Sequence, residues 1–320
     1  MVKRRKKISK KRKFLDKKLV FSTGIIAIIV LGLVCYKVFF QTPVKFSLKA
    51  AIIDQLGFGD TQNPEFNNTV TSLLIERGFS VSYHESETIT VNFYKELAKY
   101  NYGIIILRTH SALRDDPNDP TKVKKIVDLF TSENYTDERA YELLEERSRG
   151  LLSKGEYLWE PGKFYFAITP KFIENLDGYF PKSIVIAMGC WSLKPGCEQM
   201  AEAFIQKGAE AYIGWTDMVY PQDTDNETVN LLNMLLEDKS LANAISETSN
   251  YTCTSGSYTV TTRLDFYPKL AGNLTLSELI KEAKSSTALQ SATNNLKLLS
   301  PLFCSINVIN HRSKDFTISN

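Results

Sequence analysis

Histidine is scarce in this chain, with three residues in 320: His84, His110 and His311. Scattered so widely, and with no closely spaced Cys/His pairs beside them, they argue against a zinc site. No Gly-x-Ser-x-Gly elbow is present, which removes the usual serine-hydrolase signature. Gly57-Phe58-Gly59 opens like a dinucleotide loop, but Gln62 stands where the third glycine is needed, so no nucleotide cofactor is expected. There is no internal repeat and no long disordered tract. Metal is set aside as well: Asp115, Asp116 and Asp119 sit among prolines in a way that reads as a solvated turn rather than a calcium loop.

A 43% hydrophobic content is ample for a sizeable core. The net charge of +3 hides a division. Residues 1–18 hold eleven of the 39 Lys/Arg and one of the 36 Asp/Glu, leaving 28 basic against 35 acidic residues in the rest. After that basic tail, Leu19 to Tyr36 runs 18 residues without a charge, enough with its apolar flank to cross a bilayer as one helix over 19–40. Positive charge before the run and little just after it places the tail in the cytoplasm and the main domain outside, so the partner of the basic stretch is the membrane and not nucleic acid. A cleaved signal peptide is the competing reading, but no small-x-small site follows. Five Asn-x-Ser/Thr triplets, at Asn67, Asn134, Asn226, Asn250 and Asn273, suit an extracytoplasmic glycoprotein.

Residues 41–48 read as a linker, and from 49 strands and helices alternate. Leu48–Leu56 is a first strand, followed by a helix from Asn63-Pro64 to Gly78, a strand over Phe79–Tyr83, a helix over Val91–Tyr100 and a strand over Ile104–Leu107. That order predicts an α/β domain with a mostly parallel sheet and helices on both faces. A long insertion, 113–162, contains two helical patterns, Thr121–Leu129 and Asp137–Leu152. Strands over Lys163–Ile168, Ile184–Met188 and Ala209–Trp215 follow, with a helix over Met200–Lys207, a helix over Asp223–Ser246 broken near Asp238, and β-structure from Tyr251 to Tyr267. The domain is expected to close near 275, with a helical and strand extension over 276–320.

Two of these strands carry the chemistry. Tyr102-Gly-Ile-Ile-Ile-Leu-Arg-Thr-His110 ends in an imidazole, and Lys182-Ser-Ile-Val-Ile-Ala-Met-Gly-Cys190 ends in a thiol. Apolar runs without alternation belong to strands covered on both faces, and the carboxyl edge of such a sheet is where ligands bind. Alone, His110 reads as a buried, hydrogen-bonded histidine, and Cys190 as a small core residue or a disulfide partner of Cys197. Cys35 falls in the apolar span; Cys190, Cys197, Cys253 and Cys304 permit either a two-bridge framework or a free thiol with one bridge and one odd cysteine.

The order of strand-His and then strand-Gly-Cys, with the helix and strand Glu202–Trp215 after it, resembles the caspase-fold cysteine peptidases, including gingipains, clostripain and separase. The resemblance covers about Lys49 to Tyr267. It implies that Cys190 attacks a peptide carbonyl, that His110 is the acid/base, and that backbone N–H groups at Cys190 and Ser111 bind the oxyanion, with Gly189 allowing close approach. The family usually has glycine where this chain has Ser111, and a glycine-only backbone there would distort the oxyanion hole. Trp215 and Asp217, at the end of the following strand, are expected to receive a basic substrate side chain; Arg108 would instead favour an acidic one. The expectation is a membrane-anchored, extracytoplasmic cysteine endopeptidase acting on peptides or proteins without a cofactor. A catalytically silent caspase-like receptor or binding module, and a disulfide-stabilised surface scaffold, are the alternatives.

Overall fold

The computed structural model describes residues 45–157 and 159–285. The basic tail, the 19–40 span, most of the linker, the 302–309 strand, His311, Cys35 and Cys304 lie outside the described residues. Among those described, no helix is long and apolar enough to cross a membrane.

Among the described residues twelve strands occur in chain order: β1 (Lys49–Asp54), β2 (Ser80–His84), β3 (Ile104–Arg108), β4 (Ser111–Asp115), β5 (Lys125–Asn134), β6 (Leu152–Glu156), β7 (Phe164–Ile168), β8 (Ile184–Ala187), β9 (Ala211–Trp215), β10 (Tyr251–Ser255), β11 (Tyr258–Thr262) and β12 (Leu264–Tyr267). Six form the main sheet in the order β12-β9-β8-β3-β1-β2. All its neighbours are parallel except the edge pair β12/β9.

The unalternating apolar runs have the expected cause. Ala51, Ile53, Ile105, Leu107, Val185, Ala187 and Tyr212 face one layer, where Tyr94, Phe172, Met200 and Phe204 of the helices Val91–Glu96, Pro170–Glu174 and Gln199–Gln206 cover them. The alternate residues Ala50, Ile52, Ile104, Ile106, Ile184, Ile186 and Ile213 face the other, under Phe66, Leu74, Leu231 and Leu235 of Pro64–Glu76 and Pro221–Leu236. Each fully buried Ile, Leu or Phe contributes about 1.5–3 kcal/mol relative to exposure, so both faces drive the sheet's formation. Residues 276–285 continue as helix and bury Leu276, Leu279 and Ala283 in the second layer.

The 113–162 insertion differs from its expected helical pattern. Thr121–Leu129 is not helical; it spans a hairpin tip and the start of β5, inside an antiparallel sheet ordered β4-β5-β7-β6. A short apolar run suits strand or helix equally, and here the pairing partners Ser111–Asp115 and Phe164–Ile168 decide. At the tip, Asp116 accepts from Asn118 N (2.8 Å), and Asp119 accepts from Thr121 N (3.0 Å) and Lys124 N (2.8 Å), so both acids hold the turn together. The second pattern resolves into two short helices, Asp137–Glu142 and Leu144–Ser148, before β6. The Asp223–Ser246 helix begins earlier, at Pro221, and breaks where the sequence placed the break, between Leu236 and Leu241 with Asp238 at φ +73°. Of the sequon asparagines, Asn134, Asn226, Asn250 and Asn273 are exposed, whereas Asn67 is half-buried and donates Nδ2 to Asp54 (2.9 Å).

Candidate active site

β3 and β8 are adjacent and parallel, with Leu107 opposite Ala187. The pairing continues as Met188 N donates to Leu107 O (2.9 Å). The offset of this register is the one that separates His110 from Cys190, so both residues leave the sheet at the same carboxyl edge. Close backbone approach follows. A Cβ on Gly189 would stand 2.5 Å from Thr109 O and 2.3 Å from Ser111 Oγ. Only glycine fits there. The Ser111 hydroxyl donates to Cys190 O (2.6 Å), tying the start of β4 to the cysteine turn. Ser111 is not among the residues with positive φ, so serine occupies this position without the strain that a glycine-only conformation would impose.

The turn itself is strained one residue later. Trp191 adopts φ +56°, a left-handed conformation that costs a bulky residue free energy. It is held by Trp191 N donating to Asp217 O (3.0 Å) and by its indole Nε1 donating to Asp217 Oδ1 (2.7 Å). Ser192 adds a brace, donating to Ala187 O (2.9 Å) and accepting from Trp215 N (2.9 Å). The Cys190 N–H is engaged by no other residue among those described.

Cys190 is half-buried, and it is free, as are the buried Cys197 and Cys253. Its Sγ contacts both polar backbone atoms of Val219, donating to the carbonyl at 3.4 Å and accepting from N–H at 3.5 Å. Burial pushes the thiol up to about 11, against the help of the Val219 N–H. The cysteine beside it is Cys253 of β10 and not Cys197: Tyr220, next to Val219, donates its hydroxyl to Thr254 O (2.7 Å), and the Cys253 thiol raises that of Cys190 further.

His110 occupies a different wall. Its ring lies in an aromatic nest of Phe130 (centroid distance 4.8 Å), Tyr157 (5.0 Å) and Trp159 (5.3 Å). Burial there lowers it to about 4, so the imidazole is neutral at pH 7. Gln55, following β1, accepts from His110 N (2.9 Å) and donates to Tyr157 OH (2.6 Å), joining the histidine's backbone to that nest. No hydrogen bond joins thiol and imidazole, and both are in their neutral forms at pH 7. Gln55, Tyr157, Trp159, Val219 and Cys253 were invisible as site residues in sequence, because they come from four separate stretches with no motif among them. His84, outside this site, is half-buried, bonded to Tyr102 OH (3.0 Å) and packed on Phe93.

The three residues expected to read the substrate side chain are already occupied. Arg108 is fully buried, with Nη1 on Asp54 Oδ1 (2.7 Å) and Nε and Nη2 on the two oxygens of Asp225 (2.7 and 2.8 Å). It is the centre of an internal ion cluster and not a substrate ligand. Trp215 is also fully buried, its Nε1 donating to Thr224 Oγ1 (2.7 Å). Asp217 is buried and accepts from Trp191, from Lys194 Nζ (2.7 Å), from Met218 N (2.9 Å) and from Tyr258 OH. Burial opposes its charge, but the Lys194 ammonium and these donors hold its carboxyl below the usual range. Its physical role is to fasten the strained turn.

No protein-family model matches the chain, and no curated protein matches it.

Proposed function

We propose that the chain is a caspase-like cysteine endopeptidase with Cys190 as nucleophile and His110 as acid/base, carried outside the cytoplasm by a membrane anchor at residues 19–40. The observation that carries this reading is the shared offset of the β3/β8 register and the His110/Cys190 pair, which brings a free thiol on a strained turn and a histidine to one sheet edge. In this reading a peptide enters between the Val219–Cys253 wall and the aromatic nest. The Cys190 sulfur bonds to the carbonyl carbon, and its proton passes to the neutral His110 ring. The imidazolium then protonates the leaving amine as the C–N bond breaks, and water hydrolyses the thioester, returning the thiol. The N–H groups of Cys190 and Ser111 would receive the oxyanion, each donor being worth roughly 3 kcal/mol.

The test uses full-length protein, an alkylating probe and a peptide library. Expected are labelling at Cys190 that disappears in Cys190→Ala, and cleavage reduced by roughly 100-fold or more in His110→Ala. Labelling unchanged by Cys190→Ala, together with no turnover, would sink the peptidase. A second reading, a catalytically silent module of the same fold that binds peptides, is favoured by one observation: the thiol is buried and protonated, with no hydrogen bond to the imidazole. Peptide binding without cleavage would establish it.

A further inference from the structure

The aromatic nest around His110 has one open member. Phe130 and Tyr157 are buried, whereas Trp159 is 59% exposed, although its ring stacks on Tyr157 (centroid distance 4.7 Å, 24° between planes) and meets the His110 ring at 5.3 Å and 77°. A lone apolar side chain at a surface needs no explanation, but Trp159 is the exposed end of a continuous stack that runs through Tyr157 to Phe130 and Tyr165. That stack is firmly built. Phe130 fills the space that a side chain at Gly155 would take, since a Cβ there would stand 2.3 Å from the ring. Tyr157 is held by the Gln55 side chain, and the turn that carries Trp159 is closed by Glu160 N donating to Tyr157 O (3.1 Å). The turn's two charges cancel, Lys163 Nζ donating to Glu160 Oε1 (2.8 Å) while Tyr165 OH donates to Glu160 Oε2 (2.8 Å). The free face of the indole therefore presents apolar surface beside the histidine.

The chemistry of the site says which part of a peptide meets this surface. As the acid, His110 must come within about 3 Å of the departing amine. That nitrogen is joined, at about 1.5 Å, to the Cα of the residue after the scissile bond. The Cα therefore lies about 4–5 Å from the imidazole, close to the separation at which Trp159 itself packs on that ring. The residue before the scissile bond carries the carbonyl under attack, so it lies on the thiol side, by Val219.

We propose that Trp159, backed by Tyr157, is the specificity-determining residue for the position after the scissile bond, where it receives an aromatic or large aliphatic side chain. The proposal rests on the reading of Cys190 and His110 as the reacting pair. Stacking would remove both the incoming side chain and the free indole face from water. A small side chain leaves the indole wet, and a charged one is stripped of water with no partner in the stack.

The experiment uses full-length protein and internally quenched peptide mixtures, randomised except for one position fixed as phenylalanine, leucine, alanine, lysine or glutamate, with the cleaved bond located by mass spectrometry. Wild type should favour phenylalanine and leucine after that bond over alanine and glutamate by about 10- to 100-fold in kcat/KM. Trp159→Ala should lose most of that preference, and Trp159→Phe should keep most of it. Uncovering His110 alone would change every mixture by one factor and leave the ratio intact, so an unchanged ratio in Trp159→Ala overturns the proposal. Retention of the same mixtures on immobilised Cys190→Ala protein, with and without Trp159→Ala, separates the two claims. Retention that is selective for the large apolar side chain and depends on Trp159, with no cleavage by wild type, upholds the docking role and overturns only the peptidase. No retention, retention or cleavage indifferent to the fixed side chain, or a phenylalanine preference that maps only before the scissile bond overturns the proposal.

Discussion

Replacing Gly189 with alanine probes the closest contact in the site. The added methyl would lie 2.3 Å from Ser111 Oγ, 2.5 Å from Thr109 O and 2.8 Å from Ser111 N, where real Cβ atoms keep at least 3.0 Å. The hydroxyl can rotate aside, giving up its bond to Cys190 O at a cost of about 1 kcal/mol. The other two atoms are backbone, and Thr109 O must retreat by about half an ångström against the junction of β3 and β4. Overpacking of this kind costs about 1–3 kcal/mol, so Gly189→Ala should lose about 2–4 kcal/mol in all. A shift of that size between the two strand ends should also slow reaction at Cys190 by roughly tenfold, given that a misplacement of about 1 Å costs roughly 100-fold. Urea unfolding and the rate of Cys190 alkylation read the two effects. Adding Ser111→Gly removes the 2.3 Å contact and keeps the 2.5 Å one, so rescue should be partial. Wild-type stability and labelling in Gly189→Ala would show that the strand ends are not packed this closely.

Two further outcomes follow from buried charge. His110 sits at about 4 in the folded protein against 6.5 unfolded, so on acidification the unfolded chain takes up the proton first. Its contribution is therefore complete above pH 6.5 and lost as pH falls from there towards 4, to a total of about 3 kcal/mol. Urea midpoints from pH 7.5 to 4 should show an acid slope in wild type that shrinks in His110→Gln; identical slopes would refute the burial of the ring. Arg108→Met should cost about 3–5 kcal/mol, because Asp54 and Asp225 would remain buried without a cation. Asp225→Asn, which keeps an acceptor for Arg108, should cost less in the same unfolding assay, and the reverse ranking would contradict the cluster.

The legible part of the molecule is local. Ile104–Leu107 and Ile184–Met188 read as doubly covered strands because an apolar run interrupted by no polar residue has only one stable setting in an α/β sheet. Gly78, at φ +90°, ended the first helix where a left-handed residue was needed. Illegible were features whose partners lie far along the chain. The 121–129 segment pairs as strand and turn with residues on both sides of it, and no window of sequence contains both. Asp217 and Arg108 looked available because their charges were visible, whereas their ion-pair partners are 23 to 117 residues away.

Hydrophobic period and turn chemistry are local, and they suffice to set the alternation of helices with buried strands and to put a histidine and a cysteine at two strand ends. That these two strands are neighbours in matching register, and that Arg108 and Asp217 are engaged internally, follows from the packed fold alone. Burial and pairing set the state of a charge, and both depend on which distant residues the packed fold brings beside it.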